Sequence, residues 1–237
     1  MEAVESGITV HQLVKTFNHR PALKEVGFKV DRGEKVVIFG PNGAGKTTLL
    51  KILATVMKPS SGTVKIGGLD INKGAEQIRR QIGVVSHQSY LYSGLTAYEN
   101  LEFYARLHDI ADPAQRVKEM AELVGMTSRL YDRVDTFSRG MQQRISIARS
   151  LLHNPSVLLM DEPETGLDQQ AIATLWGILH ESGRTILLAT HSLERGMEIA
   201  DKVIILHKGK IALEAPVSEL NLANCRQSYF ELTGAKS

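Results

Sequence analysis

The 237-residue sequence is poor in several residue types, and each shortage excludes a class of protein. Cys225 is the only cysteine, so no intramolecular disulfide can form, which is typical of a reducing compartment. Lysine and arginine number 28 against 26 aspartates and glutamates. This near balance argues against the concentrated basic surface of a nucleic-acid-binding protein.

Long hydrophobic runs are absent as well. No apolar stretch approaches the roughly 18 residues that a membrane-spanning helix needs. The first five residues lack the basic start and the apolar stretch of a signal peptide. We therefore expect a chain that neither crosses a membrane by itself nor is exported.

The composition that remains is that of a globular protein, with 43% hydrophobic and 23% charged residues. After Pro155, short apolar runs alternate with helical patterns, which predicts a buried parallel sheet. Residues 89–153 read as mostly helical, beginning with the capping box Thr96–Glu99. The sequence therefore predicts a single α/β domain over residues 1–237. Its core comprises 1–88 and 154–215, its helical insertion 89–153, and its tail, a short helix with a loose end, 216–237.

A glycine-rich segment, Gly-Pro-Asn-Gly-Ala-Gly-Lys-Thr at residues 40–47, lies between a predicted strand and a predicted helix. Its glycines let backbone amides turn inward, and the helix that follows directs its positive end towards an anion. We expect Lys46 to bridge β- and γ-phosphates and the Thr47 hydroxyl to bind Mg²⁺. A loop that serves only as a turn would not explain the Lys-Thr pair. The residues expected to bind the triphosphate are Gly40, Pro41, Asn42, Gly43, Ala44, Gly45, Lys46, Thr47 and Thr48.

Two acids end the apolar run at residues 157–162. A carboxylate at the carboxyl end of a parallel strand faces the ligand crevice. Asp161 is expected to hold Mg²⁺ through water, and Glu162 to orient or deprotonate an attacking water. The alternative is a pair of solvated loop acids, which are common at strand ends.

With both motifs in place, residues 7–215 resemble the ATP-binding subunit of ABC transporters. The resemblance implies a P-loop NTPase core with a mostly parallel sheet, an N-terminal antiparallel β-subdomain and an inserted helical subdomain. It implies a head-to-tail homodimer that binds ATP and Mg²⁺ and hydrolyses ATP. It also implies a location peripheral to the cytoplasmic side of the inner membrane, on a separate polytopic subunit, without membrane insertion and without nucleic acid.

Further family elements follow in the family's order. Gln88 lies where the family has a glutamine that contacts Mg²⁺ and the attacking water, although it could be an ordinary polar loop residue. Residues 137–144 occupy the signature position, where the family usually has Leu-Ser-Gly-Gly-Gln. Ser138, Gly140, Gln143 and Arg144 are kept, whereas Arg139 and Met141 differ. The resemblance implies that this segment reaches ATP on the opposite subunit; the alternative is a plain helix cap with an exposed arginine.

Three more residues take their roles from the resemblance. Asp168 lies in a segment that forms the dimer interface in the family, and it would also suit a helix N-cap. His191 matches the family's histidine that contacts the γ-phosphate. Phe17 matches an aromatic residue that stacks on adenine, although a core or surface phenylalanine is the alternative.

The finer resemblance concerns the cargo. Residues 137–144, 151–155, 161–170 and 191–196 look like the ATP-binding subunit of the haem exporter of cytochrome c biogenesis. Exporters of the ABC-2 kind for drugs, lipids or polysaccharides share much of this pattern. A soluble ABC ATPase of DNA repair or translation is disfavoured because the chain has one ATPase unit and no heptad run. A small-molecule kinase would leave the signature segment unexplained.

Overall fold

The computed structural model describes residues 7–86, 88–181 and 183–233. These residues form two compact units. The first unit takes in the described residues up to Ile82, together with Val157–Asp161 and the residues from Gly183 onwards. The second takes in Gly83–Ser156 and the described residues from Glu162 onwards in the segment that ends at Ser182. The loose end predicted for the tail, residues 234–237, lies outside the described residues.

Ten strands and eight α-helices make up the regular structure of the described residues, with three short 3₁₀ turns between them. The strands are β1 (Ile8–Phe17), β2 (Arg20–Val30), β3 (Lys35–Phe39), β4 (Ser61–Ile66), β5 (Leu69–Asp70), β6 (Ile82–Val85), β7 (Val157–Asp161), β8 (Thr185–Ala189), β9 (Lys202–His207) and β10 (Lys210–Pro216). The helices are α1 (Lys46–Leu53), α2 (Ala75–Gln81), α3 (Ala97–Leu107), α4 (Pro113–Leu123), α5 (Arg139–Leu151), α6 (Gln169–Glu181), α7 (Leu193–Ile199) and α8 (Leu222–Thr233).

An antiparallel sheet begins the first unit, with strand order β2-β1-β4-β5. Ile8 in β1 pairs with Val30 of β2 on one side and with Ile66 of β4 on the other. These three side chains are fully buried, which fixes the register because a slip of one residue would turn them towards solvent. The predicted antiparallel β-subdomain at the N-terminus is confirmed.

A second sheet in the same unit contains the strand order β10-β9-β3-β8-β7. β3, β7, β8 and β9 run parallel, and β10 joins antiparallel to β9. The parallel strands are apolar along their length and almost fully buried, as expected of a sheet covered on both faces. Their carboxyl ends meet at one edge, at Phe39, Asp161 and Ala189.

Backbone hydrogen bonds connect the two sheets beside the glycine-rich loop. The amide of Lys24 in β2 donates to the carbonyl of Gly209 at 2.8 Å, and the amide of Gly209 donates to the carbonyl of Ala44 at 2.9 Å. Gly45 lies against this junction with φ of +112°, and a Cβ there would approach the Ala22 carbonyl to 2.8 Å. Only glycine tolerates both conditions, so the β2 backbone helps to shape the loop.

Helices dominate the second unit. The predicted capping box at Thr96 and Glu99 is present, with the Thr96 hydroxyl accepting from the Glu99 amide at 3.1 Å. Asn100, in the first turn of α3, is fully buried. Its side chain accepts from the Tyr92 amide at 2.7 Å and donates to the carbonyls of Tyr92 and Thr96. This amide therefore holds the segment that enters α3.

Within the described residues, no helix combines the length and the apolar character needed to cross a bilayer. Cys225, in α8, is fully buried, and this burial raises the pKa of its thiol.

Replacing Asn100 with alanine should lower the free energy of unfolding by about 2–4 kcal/mol, because three partly buried hydrogen bonds to the backbone are lost. Urea denaturation followed by the fluorescence of Trp176, the only tryptophan, measures the change. Asn224→Ala on the exposed side of α8 is the matched control and should stay within about 0.5 kcal/mol of the wild type. Equal stabilities for both variants would contradict this account of α3.

Candidate functional site

The glycine-rich loop of the first unit joins the central strand β3 to α1. Lys46, the first residue of α1, is only 5% exposed, and its Nζ donates to the Gly40 carbonyl at 2.5 Å and lies 3.4 Å from the Pro41 carbonyl. A buried ammonium group needs acceptors at close range, and here the loop itself provides them. Phosphate oxygens are stronger acceptors for the same charge.

Two residues near the loop fit a divalent cation. The Thr47 hydroxyl donates to Asp161 Oδ2 at 2.6 Å, and Asp161 is 3% exposed. Its other oxygen, Oδ1, is buried and has no hydrogen-bond partner among the described residues. Hydroxyl and carboxylate oxygens are ligands that Mg²⁺ prefers, and a buried carboxylate oxygen without a partner is costly. Two of the three predicted Mg²⁺ residues, Thr47 and Asp161, are therefore adjacent and suited to that ion.

Among the described residues, no cluster of three or more histidine, cysteine, aspartate or glutamate side chains could hold a metal ion. Mg²⁺ sites seldom need such a cluster, because this ion usually keeps waters and uses one or two carboxylates together with substrate phosphates. The donor set around Asp161 thus fits Mg²⁺ bound with a phosphorylated ligand, rather than a closed structural metal site.

His191 and Phe17 also belong to the first unit. The Thr190 amide, one residue before His191, approaches the Ile38 carbonyl at 3.4 Å, so His191 follows β8 at the edge where the parallel strands end. Phe17 ends β1 and is 44% exposed. The Lys15 ammonium lies 5.1 Å from the centroid of its ring. An exposed ring of this kind can stack with a flat heterocycle.

A cleft of 540 Å³ lies within the second unit. Gln88 and Glu162 line it together with Arg139, which brings three of the predicted site residues to one place. Glu162 has φ of +50°, a left-handed conformation that is uncommon for residues other than glycine. The other residues that line the cleft are Ser89, Tyr90, Gln142, Gln143 and Thr165.

The predicted signature segment forms the start of α5. Ser138 is the N-cap residue, and its hydroxyl accepts from the backbone amide of Met141 at 3.3 Å. Gly140 lies so close to the backbone of Gly166 that a Cβ would come within 2.5 Å of its carbonyl oxygen. The cap uses only the backbone of Met141, so its side chain is not needed for this geometry.

Asp168 is the N-cap of α6, as the alternative interpretation predicts. Its Oδ1 accepts from the Ala171 amide at 2.8 Å, and its Oδ2 pairs with Arg144 at 2.7 Å. The hydrogen bond from Ala171 lowers the pKa of the Asp168 carboxyl, and Arg144 acts in the same direction. Sequence reasoning assigned no role to Arg144, and nothing in its spacing from Asp168 could have indicated this pair.

Gln143 was noted only as a residue that the signature segment keeps, and Lys15 was missed in the sequence. Gln143 is buried in α5, and its amide donates to the Pro163 carbonyl at 3.0 Å, which connects the signature helix to the segment after Glu162. Lys15 was overlooked although it lies two residues before Phe17, a spacing that places both on one face of a strand. That alternation was the available signal.

Comparison with known protein families identifies the family of the chain. The pattern of the ABC transporter family matches residues 23–165, which is more than half of the chain. The chain belongs to the ABC transporter family. The matched region includes the glycine-rich loop, the signature segment and the two acids at the end of β7, as expected for the ATP-binding subunit of an ABC transporter.

Several curated members of the family are similar over most of this ATP-binding subunit. An uncharacterized ABC transporter ATP-binding protein, YdbJ of Bacillus subtilis (strain 168), is 37% identical and covers 86% of this chain and 68% of its own. The bacitracin transport ATP-binding protein BcrA of Bacillus licheniformis is 34% identical, covering 95% and 75%. The daunorubicin resistance ATP-binding protein DrrA3 of Streptomyces coeruleorubidus is 33% identical, covering 91% and 70%.

A solved structure supports the same assignment. A dimeric ATP-binding cassette in a post-hydrolysis state, bound to ADP and Pi, superposes with a TM-score of 0.81 at 29% identity. The match covers 89% of this chain and 98% of that one. The predicted fold class, a P-loop ATPase with an antiparallel β-subdomain and a mostly parallel sheet, is confirmed, and the chain is an ABC ATPase that binds ATP.

Lys46→Ala should weaken ATP binding by about 10- to 100-fold, because a charge-assisted contact to phosphate contributes roughly 1.5–3 kcal/mol. Titration with a fluorescent ATP analogue measures the dissociation constant. Lys51→Ala removes a lysine from the last turn of the same helix and should leave affinity unchanged. An Lys46→Ala variant that binds ATP as the wild type does would contradict the phosphate-loop assignment.

Proposed function

We propose that the protein hydrolyses ATP to power export through a separate membrane subunit, and that it acts as a head-to-tail homodimer on the cytoplasmic face of the inner membrane. The observation that supports this most directly is the group formed by Lys46, Thr47 and Asp161. The Lys46 ammonium is buried inside the glycine-rich loop, and one carboxylate oxygen of Asp161 has no hydrogen-bond partner among the described residues. A buried cation and such a carboxylate suit a triphosphate bound with Mg²⁺.

ATP binding would use the residues of the first unit. The Lys46 ammonium exchanges the Gly40 carbonyl for phosphate oxygens, and backbone N–H groups of the loop and of the first turn of α1 turn towards the same charge. Phe17 stacks on the adenine with the ring face that Lys15 leaves open. Thr47 and Asp161 hold Mg²⁺, which, when bound, neutralises charge on the phosphates. His191 contacts the γ-phosphate.

Hydrolysis would depend on Glu162 and Gln88. Glu162 accepts a proton from water as the oxygen of that water bonds to the γ-phosphorus, and the bond to the β,γ-bridging oxygen breaks to release ADP. Gln88 orients the same water. Two observations support these roles: both residues line one cleft, and Glu162 has the strained backbone that functional residues often show.

The signature segment would act on the ATP of the opposite subunit. Ser138 offers its hydroxyl, and the start of α5 offers free amides, to the γ-phosphate. Arg139 takes the place of a glycine of the family and adds a positive charge at the same helix end. Asp168 would lie on the dimer interface while it caps α6. Closing this interface would exclude water other than the attacking one.

Glu162→Gln should bind ATP, lower kcat by at least about 100-fold and accumulate as a dimer, because it keeps the shape of the side chain but cannot accept the proton. Phosphate release gives kcat, and light scattering with ATP gives the dimer fraction. Glu122→Gln on the exposed side of α4 is the control and should behave as the wild type. Turnover near normal in Glu162→Gln would remove this residue from the role of general base.

Sharing of sites between subunits gives a second prediction. Homodimers of Ser138→Arg and of Lys46→Ala should both be inactive, whereas a dimer with one subunit of each variant retains one complete site. An equimolar mixture should therefore hydrolyse ATP at roughly a quarter of the wild-type rate per protein, since half of the dimers are mixed and half of their sites are intact. A mixture no more active than either parent would argue against site sharing.

The names of the relatives favour a drug or antibiotic as the cargo. Two of them are named for bacitracin transport and daunorubicin resistance, and none of the relatives given above is named for haem. Capture of the membrane subunit from native membranes, followed by ATPase assays of the complex in vesicles, tests this choice. Stimulation by bacitracin or daunorubicin supports it, and stimulation by haem alone would support the haem exporter.

A further inference from the structure

Arg149 lies in the last turns of α5, the helix that Ser138 caps. Its guanidinium carbon is 5.5 Å from the ring centroid of Tyr90 and 5.1 Å from that of Tyr104. Its Nη2 also donates to the Val84 carbonyl at 3.0 Å. Two aromatic faces and one carbonyl therefore hold a single cation, a group that we call the Arg149 clamp.

The clamp suits arginine in particular. Burial lowers the pKa of the Arg149 guanidinium, and the two tyrosines oppose that shift. No carboxylate pairs with Arg149 among the residues that the structure describes. A planar guanidinium can stack on a ring and donate a hydrogen bond in its own plane at once, whereas a lysine ammonium is a point charge that does not stack.

The residues that the clamp holds lie on both sides of Gln88. Val84 belongs to β6, before Gln88, and Tyr90 follows two residues after it. Tyr90 has φ of +53°, and its carbonyl accepts from the Tyr104 hydroxyl at 2.8 Å. A left-handed tyrosine needs such support from its surroundings. Helices α3 and α5 therefore both hold the segment that carries Gln88.

We propose that Arg149 is a positioning residue for ATP hydrolysis: it fixes the Gln88 segment to the helix that carries the signature serine. The inference rests on the proposed role of Gln88 beside the attacking water. Helix α5 carries Ser138 at its start and Arg149 near its end. Within one subunit, the positions of Gln88 and Ser138 would therefore depend on the same helix. Small displacements of a water-orienting group can cost large factors in rate, so the clamp should act on kcat.

The first test measures the clamp without catalysis. Hydrogen exchange of the full-length protein, without nucleotide, is compared for the wild type, Arg149→Met and Arg149→Lys. Exchange in peptides covering residues 84–92 should rise about tenfold in Arg149→Met and by an intermediate amount in Arg149→Lys. Arg106→Met on α3 removes an exposed arginine of the same unit and should leave these peptides unchanged. Unchanged exchange in Arg149→Met overturns the inference.

The second test separates positioning from general stability. Arg149→Met should lower kcat about tenfold with KM for ATP within about twofold of the wild type. Combined with Gln88→Ala, it should add no further loss, because both changes remove the same function. Losses that multiply in the double variant would indicate a merely structural role and overturn the inference.

Tyr104→Phe keeps the test available should Arg149→Met fail to fold. It deletes only the hydroxyl that donates to Tyr90 and should lower kcat about threefold, again without adding to Gln88→Ala. An unaltered kcat in this variant, with unaltered exchange in residues 84–92, counts against the clamp. A wild-type protein without ATPase activity would count against the proposed function alone, because the exchange measurement decides the clamp independently.

Discussion

The ammonium group of Lys46 sets the constraint on which the site depends. Because Lys46 is only 5% exposed, its ammonium needs hydrogen-bond acceptors nearby. The loop that precedes α1 provides one of them, the carbonyl of Gly40. A loop can turn its carbonyls and amides towards one point only if several of its residues adopt conformations closed to bulky side chains. Gly45, with its positive φ and its contact with β2, meets that condition at the helix entry. The antiparallel sheet thus helps to shape a loop that joins a strand of the other sheet to α1.

The two departures from the family signature leave the start of α5 intact. Met141 contributes its backbone amide to the Ser138 cap, so losing a polar side chain there does not affect the cap. The aliphatic part of Arg139 packs on Gly166, where a Cβ would lie 3.3 Å from Arg139 Cγ. Because Gly166 has φ of +83° and no side chain, it accommodates the longer residue. The substitution changes the charge beside the helix end more than the shape of that end.

Local signals were sufficient for much of the fold. The capping box at Thr96, the strand at 35–39 and the loop at 40–47 each depend on residues close in sequence, and the sequence predicted all three. The length of β1 was missed because its alternation is broken at bulges, and β10 was missed because none of its residues is buried. Contacts between distant residues could not be derived from composition or spacing.

The site illustrates the same limit. Thr47 and Asp161 are 114 positions apart, and two motifs, the glycine-rich loop and the acid at the end of a strand, predicted Mg²⁺ binding for both. No motif indicated the pairing of Arg144 with Asp168 or of Arg149 with its two tyrosines. Residues that pair between different elements of the fold leave no periodic signal in the sequence. Their geometry is a product of packing within the second unit, which pattern reasoning does not calculate.

The two acids at the end of β7 show how the proposed chemistry is divided along the chain. Asp161 is the last residue of a buried strand in the first unit, whereas Glu162 begins the following segment of the second unit in a left-handed conformation. The residue proposed to hold the cation is fixed by sheet hydrogen bonds. The residue proposed as the base is fixed by a backbone turn, in which the Thr165 amide donates to the Glu162 carbonyl at 3.1 Å. Changes in the first unit should therefore alter mainly nucleotide affinity, and changes in the second mainly kcat, because binding and proton transfer depend on different sets of contacts.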